Sequence, residues 1–304
     1  MSRSILVVGA TGKQGGSVVD ALLSQDADVE ILALTRDANS NSAQRLLQKS
    51  SKIKIVEGNL DDSDAIFRNA QKATSQPIWG VFSITTVVPG NSTHDAEEKQ
   101  GKSIIDAALK NNVKYFVYTS VDRGGDASFD QPTRIPHFIT KHNVEHHLVN
   151  QAKDTDMAWT ILRPTAFFDN FTPDFFGKVF NTCWKISLRG KPLQLITVSD
   201  IGFFGAQAFL KPQEYSGKCV SLAGDSLTFD EMAKIFKQKT GKNLPMTFGI
   251  LSRILMWIMK DLGYMFQWFH DSGYDADIPA LKRVHPGLKD FGAWLETESG
   301  FMKE

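Results

Sequence analysis

The segment Gly9-Ala10-Thr11-Gly12-Lys13-Gln14-Gly15 carries glycines at the spacing of a dinucleotide-binding loop. An aliphatic run, Ile5-Leu6-Val7-Val8, precedes it and a helical pattern begins near Lys13, so strand, turn and helix extend from Ile5 through Leu23. In such a loop the first glycine permits the tight turn, the second lets backbone N–H groups approach a pyrophosphate, and the third lets the helix pack closely on the strand. The helix N-terminus adds partial positive charge for an anion. At the end of the second candidate strand, Leu34-Thr35-Arg36-Asp37 offers Arg36 where an NAD-binding chain carries a carboxylate for the ribose 2′-hydroxyl. A guanidinium holds a 2′-phosphate through paired, charge-assisted hydrogen bonds, which predicts NADP(H) in preference to NAD(H), with Lys13 in support. The competing readings are a glycine turn that holds no ligand, and a solvated Arg36 with Asp37 turned back to the ribose.

Together with Gly58-Asn59-Leu60-Asp61-Asp62 and Ile161-Leu162-Arg163-Pro164, these segments resemble the NmrA-like family of atypical short-chain dehydrogenases/reductases, over nearly the whole chain. That family includes both regulators and reductases, so activity has to be read from the site. The resemblance implies that Asn59, Leu60 and Asp61 lie near the adenine, that Thr85 and Thr86 follow the fourth strand near the nicotinamide ribose, and that Lys141 sits beside the nicotinamide. Thr11 and Gln14 of the loop and Pro164 of the last motif complete the cofactor residues so implied.

Hydride transfer to a carbonyl or imine needs an acid for the heteroatom, and ordinary short-chain dehydrogenases supply a tyrosine four residues before a lysine. Here His137 stands in that place, one helical turn from Lys141, and the tyrosine mechanism is lost. Two substitutes are open: His137, since the unperturbed pKa of an imidazole is close to neutrality, or Lys141 with its pKa lowered by burial and the cofactor. Ser120, at the end of the fifth candidate strand, is placed to position a substrate oxygen. Lys141 can equally serve binding alone, and His137, after Pro136 at a helix start, can be a cap or wall residue. His142, His146 and His147 have helical spacing, but Glu145 is out of order for a metalloprotease helix and no third ligand is near in sequence, so no metal is expected. Phe167, Phe168 and Phe171, at the head of an aromatic cluster running to Phe175 and Phe176, are candidate walls of an apolar substrate pocket, with core packing the alternative.

The elements that must hold these groups read as an α/β fold, a Rossmann-type doubly wound parallel sheet with a smaller C-terminal α+β lobe. Candidate strands are Ile5 to Val8, Val29 to Thr35, Ile53 to Glu57, Ile78 to Ile84, Tyr115 to Ser120 and Ala158 to Arg163, each apolar enough for burial on both faces. A helix is expected from about Thr93 to Lys110, with Ile104, Ile105, Ala108 and Leu109 on its buried side. The rhythm becomes irregular after Pro164, which suggests a dinucleotide-binding domain over 1–164 and a substrate or partner lobe over 165–304, some of whose segments rejoin the sheet. A cleft between the two is the natural ligand site. Thr228 and Glu231 have capping-box spacing ahead of a helix from Phe229 to Lys239. The apolar residues of Ile250 to Phe269 recur at helical spacing, and core packing is the first reading, with a lid or partner-binding helix the second.

Composition narrows the partners. The 304 residues carry equal numbers of acidic and basic side chains, so no net field draws the chain to nucleic acid or an anionic membrane, and a small neutral molecule fits better. The two cysteines, Cys183 and Cys219, lack metal-ligand spacing, and no secretory leader is apparent; a reducing, cytoplasmic location is expected, extending to the nucleus if the role is regulatory. Two functions compete. One is an NADPH-dependent reductase of a small, largely apolar molecule with a C=O, C=N or conjugated bond. The other is a non-catalytic NADP(H) redox sensor acting through protein contact.

Overall fold

Strands that offer no polar face to water belong in a parallel sheet covered by helices on both sides, and the apolar runs of this chain form one. The computed structural model describes residues 3–85 and 93–302. Its first six strands are β1 (Arg3–Val7), β2 (Val29–Thr35), β3 (Ile53–Glu57), β4 (Ile78–Ser83), β5 (Tyr115–Thr119) and β6 (Ala158–Pro164). Between them run α1 (Lys13–Ser24), α2 (Asn41–Lys49), α3 (Ser63–Ala73), α4 (His94–Lys110) and α5 (Pro136–Ala152). The strands pair in parallel in the order β3-β2-β1-β4-β5-β6, and the order reverses between β1 and β4. This is the Rossmann-type arrangement, in which ligands lie beyond the carboxyl ends of the strands at the reversal.

Two short strands follow, β7 (Ala166–Phe167) and β8 (Leu193–Ile196), with α6 (Phe175–Leu188) between them. Then α7 (Val198–Leu210) and α8 (Pro212–Tyr215) lead to β9 (Lys218–Leu222), which rejoins the large sheet beside β6. The chain ends with β10 (Asp225–Leu227), α9 (Phe229–Thr240), α10 (Gly249–Ile258), α11 (Lys260–Asp271), α12 (Ile278–Val284) and α13 (Phe291–Thr297). Contacts divide the molecule into two compact units, one of Met1–Ser120, Thr140–Arg163 and Ile201–Val220, the other of Val121–Ile139, Pro164–Asp200 and Ser221–Glu304.

In the first unit, Leu6, Leu32, Val81 and Phe116 of the sheet are buried against Ile66 and Phe67 of α3 and Ile104 and Ile105 of α4. At the opposite side α7 meets α1 closely: a Cβ on Gly202 would stand 2.0 Å from the Ser17 Oγ, and one on Gly205 would stand 2.8 Å from Val18. Helix starts follow local side-chain chemistry. Ser40, Asp62 and Thr93 each accept a backbone N–H at the start of α2, α3 and α4. The second unit has its own sheet, β10-β8-β7, and an aromatic core that includes Phe168, Phe171, Trp184, Phe291 and Trp294. Thr228 and Glu231 form a complete capping box at the start of α9.

The stretch from Ile250 to Phe269 departs from its expected role as one core-packed helix. It breaks at Met259 into α10 and α11, and a Cβ on Gly263 of α11 would meet the Met256 carbonyl oxygen at 2.4 Å. That close backbone contact lets α11 fold back on α10, so Phe266 and Phe269 are buried while Ile250 and Trp257 are 75% and 80% exposed. Among the described residues, no helix is long and apolar enough to cross a membrane.

The contact most demanding of small size lies between α1 and β1. A Cβ on Gly15 would stand 2.3 Å from the Gly9 carbonyl oxygen and 2.8 Å from that of Val8, both backbone atoms that cannot swing aside. Gly15→Ala is therefore expected to cost about 1 to 3 kcal/mol or more of stability by overpacking, read as a lower denaturant midpoint. Gly12→Val should lower the midpoint less than Gly15→Ala, because its Cβ meets the Gly9 oxygen at 3.2 Å instead of 2.3 Å and its backbone is extended.

Candidate functional site

Gly9 follows β1 with φ +69°, a left-handed conformation that glycine adopts without strain. Its carbonyl accepts from the Gly12 N–H at 2.9 Å, closing the turn, and Gly12 then stands at the N-cap of α1. Gly12 has no side chain with which to cap this helix, in contrast to the N-cap residues of α2, α3 and α4. Thr11, Gly12 and Lys13 are exposed around this end and Gly15 is buried beneath it. The result is a cradle lined by backbone N–H groups and kept open by the missing Cβ of Gly12, which fits a pyrophosphate.

Other strand ends converge on the same edge. Gly9 lies against Ile84, whose Cγ2 would be 2.9 Å from an added Cβ, and the next residue, Thr85, is buried. Gln14 is tied to the end of β5, its Oε1 accepting from the Thr119 hydroxyl at 2.8 Å, one residue before Ser120. Beyond β2, Arg36 is exposed. The neighbouring Asp37 carboxylate accepts from the Asn39 N–H at 2.8 Å and so stabilises its own turn. Beyond β3, Asn59 donates to Asp61 at 2.9 Å, and Asp61 also accepts from Gln100 of α4 at 2.8 Å, while Leu60 is half-buried. Thr86 lies outside the described residues. Pro164 ends β6, its carbonyl accepting from the Asp122 N–H at 3.0 Å.

Lys141, on α5, points to the end of β4. Its Nζ donates to the Thr85 carbonyl, to the Thr85 hydroxyl at 3.2 Å, and to the Glu97 carboxylate of α4 at 3.0 Å. Glu97, only 2% exposed, also accepts from Thr140 at 3.0 Å. The Tyr118 ring of β5 completes the surroundings, its centre 5.5 Å from Nζ. Burial opposes charge on this lysine, yet the facing Tyr118 phenol and Glu97 carboxylate outweigh it and hold the ammonium above the ordinary lysine range. The sequence allows a Lys141 pKa lowered by burial and the cofactor together; in the protein alone burial does oppose the charge, and Tyr118 and the buried Glu97 carboxylate act against it. Burial pushes the Tyr118 phenol upward as well.

The remaining catalytic candidates are held differently. Ser120 donates its hydroxyl proton to Glu145, whose carboxylate also receives Arg163 at 2.7 Å, and both members of that ion pair are buried. With its one proton so engaged, Ser120 is an acceptor to anything else it meets. His137 stands in the first turn of α5. It packs edge-on against Phe138, its Nδ1 lying 3.9 Å from the Asp261 carboxylate of α11. His147 pairs with Asp106 at 2.6 Å, and His142 lies over His146 with ring centres 4.3 Å apart.

The proposed pocket walls divide. Phe168 stacks on Trp294 at 5.6 Å, Phe171 packs edge-on against Phe291 at 5.5 Å, and both are buried in the second unit's core. Protein side chains fill the space a substrate would need, so these two are core residues, which corrects their assignment to a pocket. Phe167 is half-buried, and Phe175 and Phe176 are exposed. Sequence reasoning missed Glu97 and Tyr118, whose approach to Lys141 depends on how α4, α5 and β5 pack.

Comparison with known proteins agrees with this geometry. An NmrA-like family domain-containing oxidoreductase of Aspergillus hancockii is 28% identical over 321 residues, covering 95% of this chain and 89% of its own. The triphenylmethane reductase of Citrobacter sp., crystallised with NADP(H), superposes with a TM-score of 0.68 at 17% identity, covering 96% of this chain and 98% of its own. NmrA, a negative transcriptional regulator crystallised with NADP, superposes with a TM-score of 0.67 at 15% identity, covering 98% and 95%. The model of the NmrA-like family matches residues 1–295, and with the uncapped glycine loop at the sheet's reversal this places the chain in the NmrA-like family.

Proposed function

We propose that this protein is an NADPH-dependent reductase of a small, largely apolar molecule bearing a C=O, C=N or conjugated bond. The observation that carries the reading is the Lys141 ammonium held at Thr85, one residue from the Ile84 that packs on the glycine loop. It puts a fixed positive charge beside the cradle.

Gly9, Thr11, Gly12, Lys13, Gln14 and Gly15 would hold the pyrophosphate, and Arg36 the 2′-phosphate. Asn59, Leu60 and Asp61 would face the adenine, with Thr85 and Lys141 toward the nicotinamide end. When bound, NADPH supplies a hydride for two-electron reduction. The chain's own contribution is electrostatic. A lysine that stays protonated through neutral pH offers N–H bonds and charge to a heteroatom on which negative charge grows. Each of its three protons already has an acceptor, in Glu97, the Thr85 carbonyl and the Thr85 hydroxyl. To meet a ligand it must exchange one, and the Thr85 hydroxyl, at 3.2 Å, is the weakest of the three by neutral acceptor and length.

The second reading is a non-catalytic NADP(H) sensor working through protein contact. The exposed apolar face of α10, with Phe248, Ile250 and Trp257 in water, favours it. Incubation with NADPH and a panel of enones, imines and ketones separates the two: loss of nicotinamide absorbance supports the reductase, and tight NADPH binding with no turnover on the panel supports the sensor.

Arg36→Ala is expected to weaken NADP(H) binding by about 1.5 to 3 kcal/mol, the scale of a hydrogen bond to a charged group, and to leave NAD(H) binding nearly unchanged in a fluorescence titration. Gly12→Val, although folded, should not hold either cofactor, because its side chain occupies the cradle. Lys141→Ala should lower turnover by about 10² to 10⁴ and cofactor affinity much less if Lys141 acts on the substrate. If it anchors only the ribose, affinity falls and turnover at saturating cofactor stays near wild type.

A further inference from the structure

A lysine side chain has four rotatable bonds and, alone at a sheet edge, would sweep a wide volume. Lys141 does not, because an acid from a helix 44 positions earlier meets it inside the protein. Glu97 lies in the first turn of α4, on its buried side, and is nearly as inaccessible as the aliphatic residues around it. Taking a carboxylate out of water is costly unless it is paired and hydrogen-bonded. Both of its oxygens are engaged: one with Lys141 at 3.0 Å and the Thr85 hydroxyl at 3.4 Å, the other with the Thr140 hydroxyl at 3.0 Å. Thr140 precedes Lys141 on α5, so the carboxylate grips that helix at two successive residues while holding the end of β4 through Thr85.

We propose that Glu97 is the positioning residue of the reductive site: its carboxylate pins the Lys141 ammonium against Thr85 and fixes the place and charge of the cation presented beside the glycine loop. The inference rests on the reductase reading for its catalytic meaning, though the pairing itself does not depend on a substrate. Among the described residues, the groups facing the ammonium are Glu97 from α4, Tyr118 from β5 and Thr85 beyond β4. One turn along α5, Glu145 is engaged by Arg163. Of these, Glu97 alone is an anion not already matched by another cation within the cluster. Without it, only the Tyr118 phenol would remain to oppose the effect of burial on the ammonium.

The test uses the cofactor-free protein, so that its outcome is independent of any turnover. Trace acetic anhydride is added across a pH series and acetylation at Lys141 is read by peptide mass spectrometry, with exposed lysines as internal standards. Wild-type Lys141 is expected to become reactive only above the midpoint of the exposed lysines. Glu97→Gln should lower its midpoint by about 1 to 3 pH units, the range for loss of a close opposite charge. Glu97→Asp, which keeps the charge on a shorter arm, should restore part of the difference. An unchanged midpoint in Glu97→Gln would overturn the proposal. If Glu97→Gln does not fold, the double variant with Lys141→Met removes both charges; its folding supports the pairing, and its failure to fold shows that Glu97 serves something other than Lys141. A wild-type protein that reduces nothing on the substrate panel, with the midpoint shift intact, would remove the reductase reading and leave the pairing standing.

Discussion

How closely α1 can approach β1 governs the whole carboxyl edge of the large sheet. The Gly15 position comes so near the Gly9 and Val8 carbonyls that no side chain fits, which lets the start of α1 pack closely on the end of β1. The ends of β4 and β5 are tied to this turn. Gly9 presses on Ile84, which sets Thr85 and hence Lys141; Gln14 takes the Thr119 hydroxyl, which sets the residue before Ser120. A widening of the α1–β1 contact would move the anion cradle relative to the lysine that stands beside it.

The second organising feature is a pair of buried acids on the helices that flank the sheet. Glu97 accompanies Lys141 and Glu145 accompanies Arg163, so two cations and two carboxylates lie paired inside the first unit. Such pairs contribute little net stability, since desolvation offsets most of the attraction, but removing one partner strands the other. Their use here is geometric. Arg163 and Glu145 hold the Ser120 hydroxyl as an acceptor, and Glu97 holds Lys141 as a cation. A site that lacks the tyrosine of ordinary short-chain dehydrogenases thereby keeps a fixed charge where the tyrosine's partner lysine would be.

Much of this was readable in the sequence wherever the determining interactions are local. Val29–Thr35 and Ile53–Glu57 form strands over the ranges expected from their apolar runs, α4 (His94–Lys110) falls where a helix from about Thr93 to Lys110 is expected, and Thr228 and Glu231 cap each other at α9, because a cap is decided within four residues. The glycine loop was legible for the same reason. What escaped is what depends on distant partners. Glu97 looks like one more charge on an amphipathic helix until α5 brings Lys141 to it. Phe168 and Phe171 looked like pocket walls until Phe291 and Trp294 arrived from the far end of the chain to bury them. The periodicity from Ile250 to Phe269 continues through Met259 in sequence although the helix does not, since the break follows from Gly263 packing on the Met256 carbonyl.

The most direct measurement is a calorimetric titration of the unmodified protein with NADPH and, at the same pH and ionic strength, with NADH. A cradle at Gly9–Gly15 flanked by Arg36 should bind NADPH more tightly by about ten- to a hundredfold, the equivalent of one or two charge-assisted hydrogen bonds to the 2′-phosphate. Equal affinities, or no heat from either nucleotide, would contradict the assignment of this edge as an NADP(H) site.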